Sequence, residues 1–281
     1  MRRVLLVLAS VLAARILLGG AVEAQRGNAP PPPAPRAGAP IDLTGYWVSI
    51  VTQDWRWRMV TPAKGDYQGV QMTPEGRKVA DTWDPAKDEA AGEQCKSYGA
   101  PALMSVPGRI HITWQDDTTL KVDADAGTQT RLLRFALPQG QGAPSVSRGG
   151  SVQTPADTPR TWQGVSQAEW LRPRPAVPLQ LRPADRAADA PPPSPSGGTL
   201  RVVTRNLRTG YLRKNGVPYS ENAVLTEHWD LYKRPNGEEW LTITTQIDDP
   251  QYLANGKLIA PIFKKERDGS KWDPTPCSAR W

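Results

Sequence analysis

The side chains able to do chemistry in this chain form a short set. There are only two histidines in 281 residues, His111 and His228, and two cysteines, Cys95 and Cys277. No His-x-His, His-Glu-x-x-His or Cys-x-x-Cys occurs, so the usual zinc spacings are missing, and no metal or other cofactor is expected. Asp123-Ala-Asp125-Ala-Gly127 has a calcium-like alternation of acids. It lacks the long loop with a terminal Glu that such a site needs, and reads as a turn. Gly164-Val-Ser166 lacks the strand that a nucleophile elbow requires, so Ser166 reads as a loop residue. No Walker loop or Rossmann glycine pattern appears.

Glu227 carries the most chemical promise. In Ala223–Leu225–Glu227–Trp229–Leu231 it has the parity of the apolar set, so a strand here would turn it inward. Arg131 shares parity with Leu133 and Phe135 and is expected inside as well. A buried carboxylate needs a partner, and two readings follow. Glu227 and Arg131 form an internal ion pair that fixes register, or they anchor a ligand head group. An acid/base role in a cavity would use Glu227 with His228 or His111 as candidate catalytic residues. Tyr211–Ser220 (YLRKNGVPYS) carries Arg213, Lys214 and Tyr219. It reads either as a solvated hairpin loop or as a barrel-mouth loop that meets an anionic or polar ligand. Eleven tryptophans against two phenylalanines is a high ratio. Trp47, Trp114 and Trp229 read first as core. A subset lining a cavity would suit an apolar, aromatic or sugar-like ligand, and Trp229, beside Glu227 on the same face, is the contact proposed.

The elements that must position these residues are mostly strands. Ile41–Val51 reads as a first strand, and Trp55 and Trp57 alternating with Arg56 and Arg58 suggest more extended chain. Thr73-Pro74-Glu75 and Asp84-Pro85 are helix starts, with a capping side chain before Pro at the first position. From Arg109 the period becomes two through three segments, and it resumes at Thr199–Leu207, Asn222–Lys233, Glu239–Ile247 and Lys257–Lys265. Pro235-Asn236-Gly237 is a hairpin turn. The pattern predicts a mainly β fold of seven or eight strands, an antiparallel barrel or strongly curved meander with one or two short helices. The stretch at about 138–198 is rich in Pro, Gly and Arg and reads as an insertion in a single domain spanning 41–281. Trp162 and Trp170 within it would be costly to leave in water and are expected to dock on the domain.

The N-terminus predicts destination. Arg2 and Arg3, the apolar run Val4–Leu18 and Val22-Glu23-Ala24 form a signal peptide over 1–24, followed by a Pro/Ala-rich linker over 25–40. Arg15 interrupts the apolar run, so no membrane span is expected after cleavage. The protein is therefore expected in the periplasm or outside the cell, where Cys95 and Cys277 would form a disulfide. The whole chain carries +7; the leader's Arg2, Arg3 and Arg15 against Glu23 account for +2 of it, leaving +5. These cations are scattered among acids, so a nucleic-acid partner is not expected.

Gly45-Tyr46-Trp47 resembles the Gly-x-Trp that opens the first strand of lipocalins. That resemblance implies a Trp closing one barrel end against a basic residue of the last strand, here Lys264 or Lys265. The blocks GEQCKSYGAPALM, GRIHITWQDD, DAGTQTRL, GYLRKNGVPYSENAVLTE, DDPQYL and GSKWDPTPC resemble a family of exported bacterial β-rich hypothetical proteins. This wider resemblance implies export and β architecture, and assigns no catalytic residues. The functional expectation is an exported barrel binding a small, partly apolar molecule. The alternatives are a cofactor-independent lyase, isomerase or hydrolase, and a cell-envelope protein that meets its partners through the Pro/Arg-rich insertion.

Overall fold

The computed structural model describes residues 33–136, 158–172 and 197–280. The expected leader and most of the expected insertion lie outside the described residues. From Ala34 onward, the described residues belong to one compact unit.

Twelve strands appear among the described residues. The first four are β1 (Gly45–Ile50), β2 (Arg109–Asp116), β3 (Thr119–Ala124) and β4 (Gln129–Phe135). Next come β5 (Val165–Leu171), β6 (Thr199–Arg205), β7 (Gly210–Tyr211) and β8 (Pro218–Tyr219). The last are β9 (Val224–Lys233), β10 (Glu239–Asp248), β11 (Lys257–Ile259) and β12 (Ile262–Lys265). Nine of them close a barrel in the order β10-β12-β1-β2-β3-β4-β5-β6-β9, with β9 returning to β10 over the full length of both. Closure leaves no unpaired edge around the ring. β11 is a short addition to the far end of β10, whose near end holds β12. Ala260-Pro261 separates β11 from β12, because Pro has no N–H for a ladder.

The barrel departs from an all-antiparallel one at a single seam. β4 and β5 run parallel, Leu133 against Ser166 and Phe135 against Ala168. Parallel neighbours need a long crossover, and the Pro/Gly/Arg-rich stretch after β4 supplies it. Within that stretch Trp162–Trp170 does more than dock. Val165–Leu171 is a barrel strand, and Ser166, expected in a loop, is a buried strand residue. Trp162 and Trp170 are both anchored, through indole N–H bonds to Thr209 O (3.1 Å) and Pro35 O (3.0 Å). Pro35 shows that the end of the expected linker also packs on the barrel.

Helical turns occupy one stretch between β1 and β2: α1 (Trp55–Arg58), α2 (Pro74–Asp81), α3 (Pro85–Ala90), a 3-10 turn (Gln94–Tyr98) and α4 (Ala100–Leu103). This is more helix than the one or two pieces expected. α2 and α3 start where the capping residues predict. Thr73 Oγ1 accepts from Gly76 N at 3.0 Å, and Asp84 Oδ1 from Ala86 N at 3.1 Å. α1 corrects the expectation of extended chain. Asp54 takes a left-handed φ of 52°, and its carbonyl accepts from Trp57 N and Arg58 N, closing a turn. Alternation over four residues is too short to tell a strand from one helical turn.

Two packed clusters form the core. One fills the barrel around Trp47, Ile112, Val122, Leu133, Val202, Trp229, Ile243 and Phe263, and continues into Tyr98, Leu103 and Met104. The helical stretch 98–104 thus packs against the barrel filling. The second cluster joins Tyr67, Ala80, Leu207, Val217, Tyr219, Leu225 and Ile247. Lys265 Nζ lies 5.2 Å above the Trp47 ring, its register partner across β1 and β12. Cys95, in the 3-10 turn, is disulfide-bonded to Cys277 after β12, with Cα atoms 5.1 Å apart.

Candidate functional site

Strand parity delivers Arg131 and Glu227 to the barrel centre as expected. Arg131 Nη1 donates to Glu227 Oε1 at 3.0 Å and Nη2 to Oε2 at 2.6 Å, and both side chains are wholly enclosed. Arg131 Nη2 also reaches Thr204 Oγ1 at 3.3 Å, and the Thr204 and Ser166 hydroxyls share a 2.7 Å bond. One polar ladder therefore links β4, β5, β6 and β9 inside an apolar filling. The carboxylate accepts from both ends of the guanidinium fork, while Arg131 Nε has no hydrogen-bond partner among the described residues, and the barrel filling includes Trp47, Trp229 and Phe263. This is the geometry of a register-fixing ion pair.

The other expected contacts disperse. Trp229 is core filling, fully buried. Tyr219 is fully buried in the second cluster, pressed between two glycines. A Cβ at Gly99 or Gly210 would fall 2.1 or 2.5 Å from its hydroxyl, and burial pushes its pKa up. His228 sits on β9 between Glu227 and Trp229, so parity sends it to the outer face, opposite Arg201 and Thr244. His111 is also outward on β2 and stacks flat on Tyr46, ring centroids 3.9 Å apart, with Trp272 edge-on to both. Burial lowers the pKa of His111, with Asp123 opposing and Lys121 assisting. Neither histidine shares a strand face with Glu227.

Arg213 leads elsewhere. The β7–β8 hairpin is buried, contrary to a solvated loop: Arg213, Lys214 and Asn215 are 6%, 5% and 0% exposed. Asn215 Nδ2 donates to Ala63 O and Asp66 O at 3.1 and 2.9 Å, tying the hairpin to the chain after α1. Gly216, at φ 83°, lies where a Cβ would meet Trp83 at 2.3 Å, so only glycine lets the turn close there. The hairpin, α1, the 97–106 stretch and β11 together line a cleft that opens to solvent and encloses about 40 Å³, so a ligand larger than a few waters would sit partly in its mouth. Trp57, Ala102, Val106, Leu212, Ile259 and Pro261 supply its apolar wall.

Among the described residues, four cations line the same cleft, Arg58, Arg213, Lys214 and Lys257, against one acid, Asp54. Arg58 is held by neutral acceptors, Ser105 O at 2.7 Å, Gln53 O at 3.3 Å and Ser49 Oγ at 3.3 Å. Arg213 donates through Nη1 to Gln68 O at 2.7 Å and lies 4.6 Å over the Trp57 ring. Lys257 Nζ reaches Asp54 Oδ2 at 3.3 Å; Arg213 Nη2 is 3.6 Å from the same oxygen, beyond hydrogen-bond reach. Lys214 Nζ donates to Tyr98 Oη at 2.7 Å. Two buried donors, Arg213 Nη2 and Trp57 Nε1, have no hydrogen-bond acceptor among the described residues.

Burial works against all four cations. It lowers Arg58 and Arg213, with Asp54 opposing in both and Asp66 also in Arg213. It lowers Lys257, with the Arg213 charge adding and Asp54 opposing. It pushes Lys214 down from 10.5 to about 8. Desolvation is the leading cause in each, so enclosing these cations carries a cost that an incoming counter-charge would offset.

Of the five ligand contacts expected from sequence, Arg213 alone reaches this cleft. Trp57, Arg58 and Lys257 carried no such expectation. The available signal was the Trp-Arg-Trp-Arg run at 55–58, dense in both halves of an amphiphilic site. No family model, curated protein or solved structure matches the chain.

Proposed function

We propose that this protein is an exported β-barrel that binds a small, partly apolar, anionic molecule in the cleft between α1, the β7–β8 hairpin and β11. One observation carries the reading: Arg58, Arg213 and Lys257, all largely enclosed, line the cleft with Asp54 as the one carboxylate among its described lining residues, and two buried donors there lack an acceptor among the described residues. Enclosing charge of one sign is unfavourable unless a counter-charge arrives, and pockets with convergent polar groups on an apolar wall are where ligands bind. The signal-peptide pattern, the disulfide and the resemblance to exported β-rich proteins support export. The barrel interior also holds two buried donors without an acceptor among the described residues, Arg131 Nε and Trp229 Nε1, but its guanidinium is matched by the Glu227 carboxylate, so it presents no surplus charge to an anion.

Calorimetry with benzoate and phenyl phosphate tests the binding, and N-terminal sequencing of the protein recovered from a bacterial periplasm tests the processing. Saturable binding that weakens at least tenfold in Arg213→Gln, with unchanged circular dichroism, is the expected result. No binding of either anion, or equal binding by the variant, overturns the reading. A retained Met1 overturns the export.

A further inference from the structure

The charge balance of the cleft says more than that its occupant is an anion. This step rests on the reading above and names the head group. Leaving aside Lys214, which is engaged with Tyr98, Arg58, Arg213 and Lys257 against Asp54 make three positive charges to one negative among the described lining residues. A monoanion would leave that balance with a surplus of one, and a dianion closes it. Two of the cations also converge. Lys257 Nζ and Arg213 Nη2 lie 3.3 and 3.6 Å from one oxygen of Asp54. Arg213 in turn covers the Trp57 ring, whose N–H is one of the two donors without an acceptor. Charge collected around one point suits a compact dianion better than two carboxylates held apart.

We infer that the cleft binds the phosphate group of a small phosphomonoester, with the apolar remainder of the molecule against Trp57, Val106, Leu212 and Ile259. A phosphomonoester carries close to two negative charges at neutral pH and three acceptor oxygens. Those oxygens can take hydrogen bonds from Arg213 Nη2 and Trp57 Nε1 while Lys257 contributes as a point charge. Lys214 also lines the cleft, and since burial pushes its pKa down to about 8, an incoming dianion favours its charged form. Asp54 is the one acid among the described lining residues, and its distances to Arg213 and Lys257 make it the group a phosphate would displace.

The test uses the unaltered protein and three aryl anions that differ in charge and head-group shape: phenyl phosphate, phenyl sulfate and benzoate. At pH 7.5, phenyl phosphate is expected to bind at least tenfold tighter than phenyl sulfate, which is also tetrahedral but singly charged. From pH 5 to pH 7 phenyl phosphate should gain affinity as its second ionisation proceeds, while phenyl sulfate stays level. Inorganic phosphate should bind at least tenfold more weakly than phenyl phosphate, because it lacks the ring. Lys257→Gln should reduce the phosphate-over-sulfate ratio more than it reduces sulfate binding. Equal affinities for phosphate and sulfate overturn the inference and leave the anion site standing. Binding of none of the three overturns both.

Discussion

The Arg131 guanidinium meets the Glu227 carboxylate through two hydrogen bonds, 2.6 and 3.0 Å long, with neither side chain reaching solvent. Its two partners come from β4 and β9, which lie on either side of the β5–β6 pair. The pair therefore ties together strands that share no ladder. Removing one partner leaves a buried charge, so Glu227→Ala is expected to cost about 3–5 kcal/mol. Replacing both, Arg131→Met with Glu227→Leu, should recover most of that loss, because a packed apolar filling carries no desolvation penalty. Urea unfolding of the three variants measures it, and a double variant no more stable than Glu227→Ala would show that the pair does more than fix register. Anion binding in the cleft should survive the double replacement.

The cleft makes stability depend on pH in an uncommon direction. Lys214 gives up its proton near 8 in the folded protein and near 10.5 when unfolded. Between those values the unfolded chain binds the extra proton, so raising pH stabilises the fold. The groups around it are Tyr98, whose own pKa is raised by burial, and the Arg58, Arg213, Lys257 and Asp54 charges of the cleft. Lys257, also lowered, adds in the same sense. Thermal melts from pH 7.5 to 10 should climb in the unaltered protein and climb less in Lys214→Met. Melts that fall over this range, or climb equally in both, contradict the assignment.

Ligand occupancy should reverse that slope. A bound anion favours protonated Lys214, so affinity for phenyl phosphate should decline as pH rises through about 8. Calorimetry in two buffers of different ionisation enthalpy near pH 8 should report proton uptake on binding. Proton release would be the wrong sign.

His111 offers an independent check on the outer wall. Its ring is sandwiched against Tyr46, and burial lowers its pKa below 6.5. The unfolded chain then takes up this proton first as pH falls, so the histidine's contribution to stability drops as pH descends from 6.5 through the folded value. An NMR titration should place its midpoint below 6.5, and Tyr46→Ala should move it upward by exposing the ring. A midpoint above 6.5 in the unaltered protein would refute the burial argument.

Reduction of Cys95–Cys277 should destabilise by about 5 kcal/mol in the chain-entropy model, given the 182-residue separation. Urea midpoints with and without reductant measure this. Intact mass under non-reducing conditions should show no free thiol.

What could be read in the sequence follows from how far each signal reaches. Parity along one strand is local, and Leu225–Glu227–Trp229 and Arg131–Leu133–Phe135 each needed only two-residue periodicity to be turned inward. Capping is equally local, which is why Thr73 and Asp84 begin helices as expected. The β4–β5 seam was hidden because nothing in Val165–Leu171 tells a parallel partner from an antiparallel one. The cleft was hidden for a different reason. Arg58, Arg213 and Lys257 sit on three segments brought together by the Asn215 bonds to Ala63 and Asp66 and by the Asp54–Lys257 contact. Scattered cations in the sequence read as a solvated surface, and tertiary structure alone gathers them.

The crossover between β4 and β5 divides the barrel into two pieces of chain that meet along two seams, β4 with β5 and β1 with β12. One cysteine of the disulfide lies in each piece. A protease cut in the crossover would therefore sever the peptide chain and still leave a single covalent particle, coming apart only after reduction and unfolding. The same arrangement makes the two pieces natural candidates for separate expression and reassembly. A fusion partner placed in the crossover would hang on a barrel whose halves are already fastened, and the cleft, whose lining draws on both pieces, would report whether they had found each other.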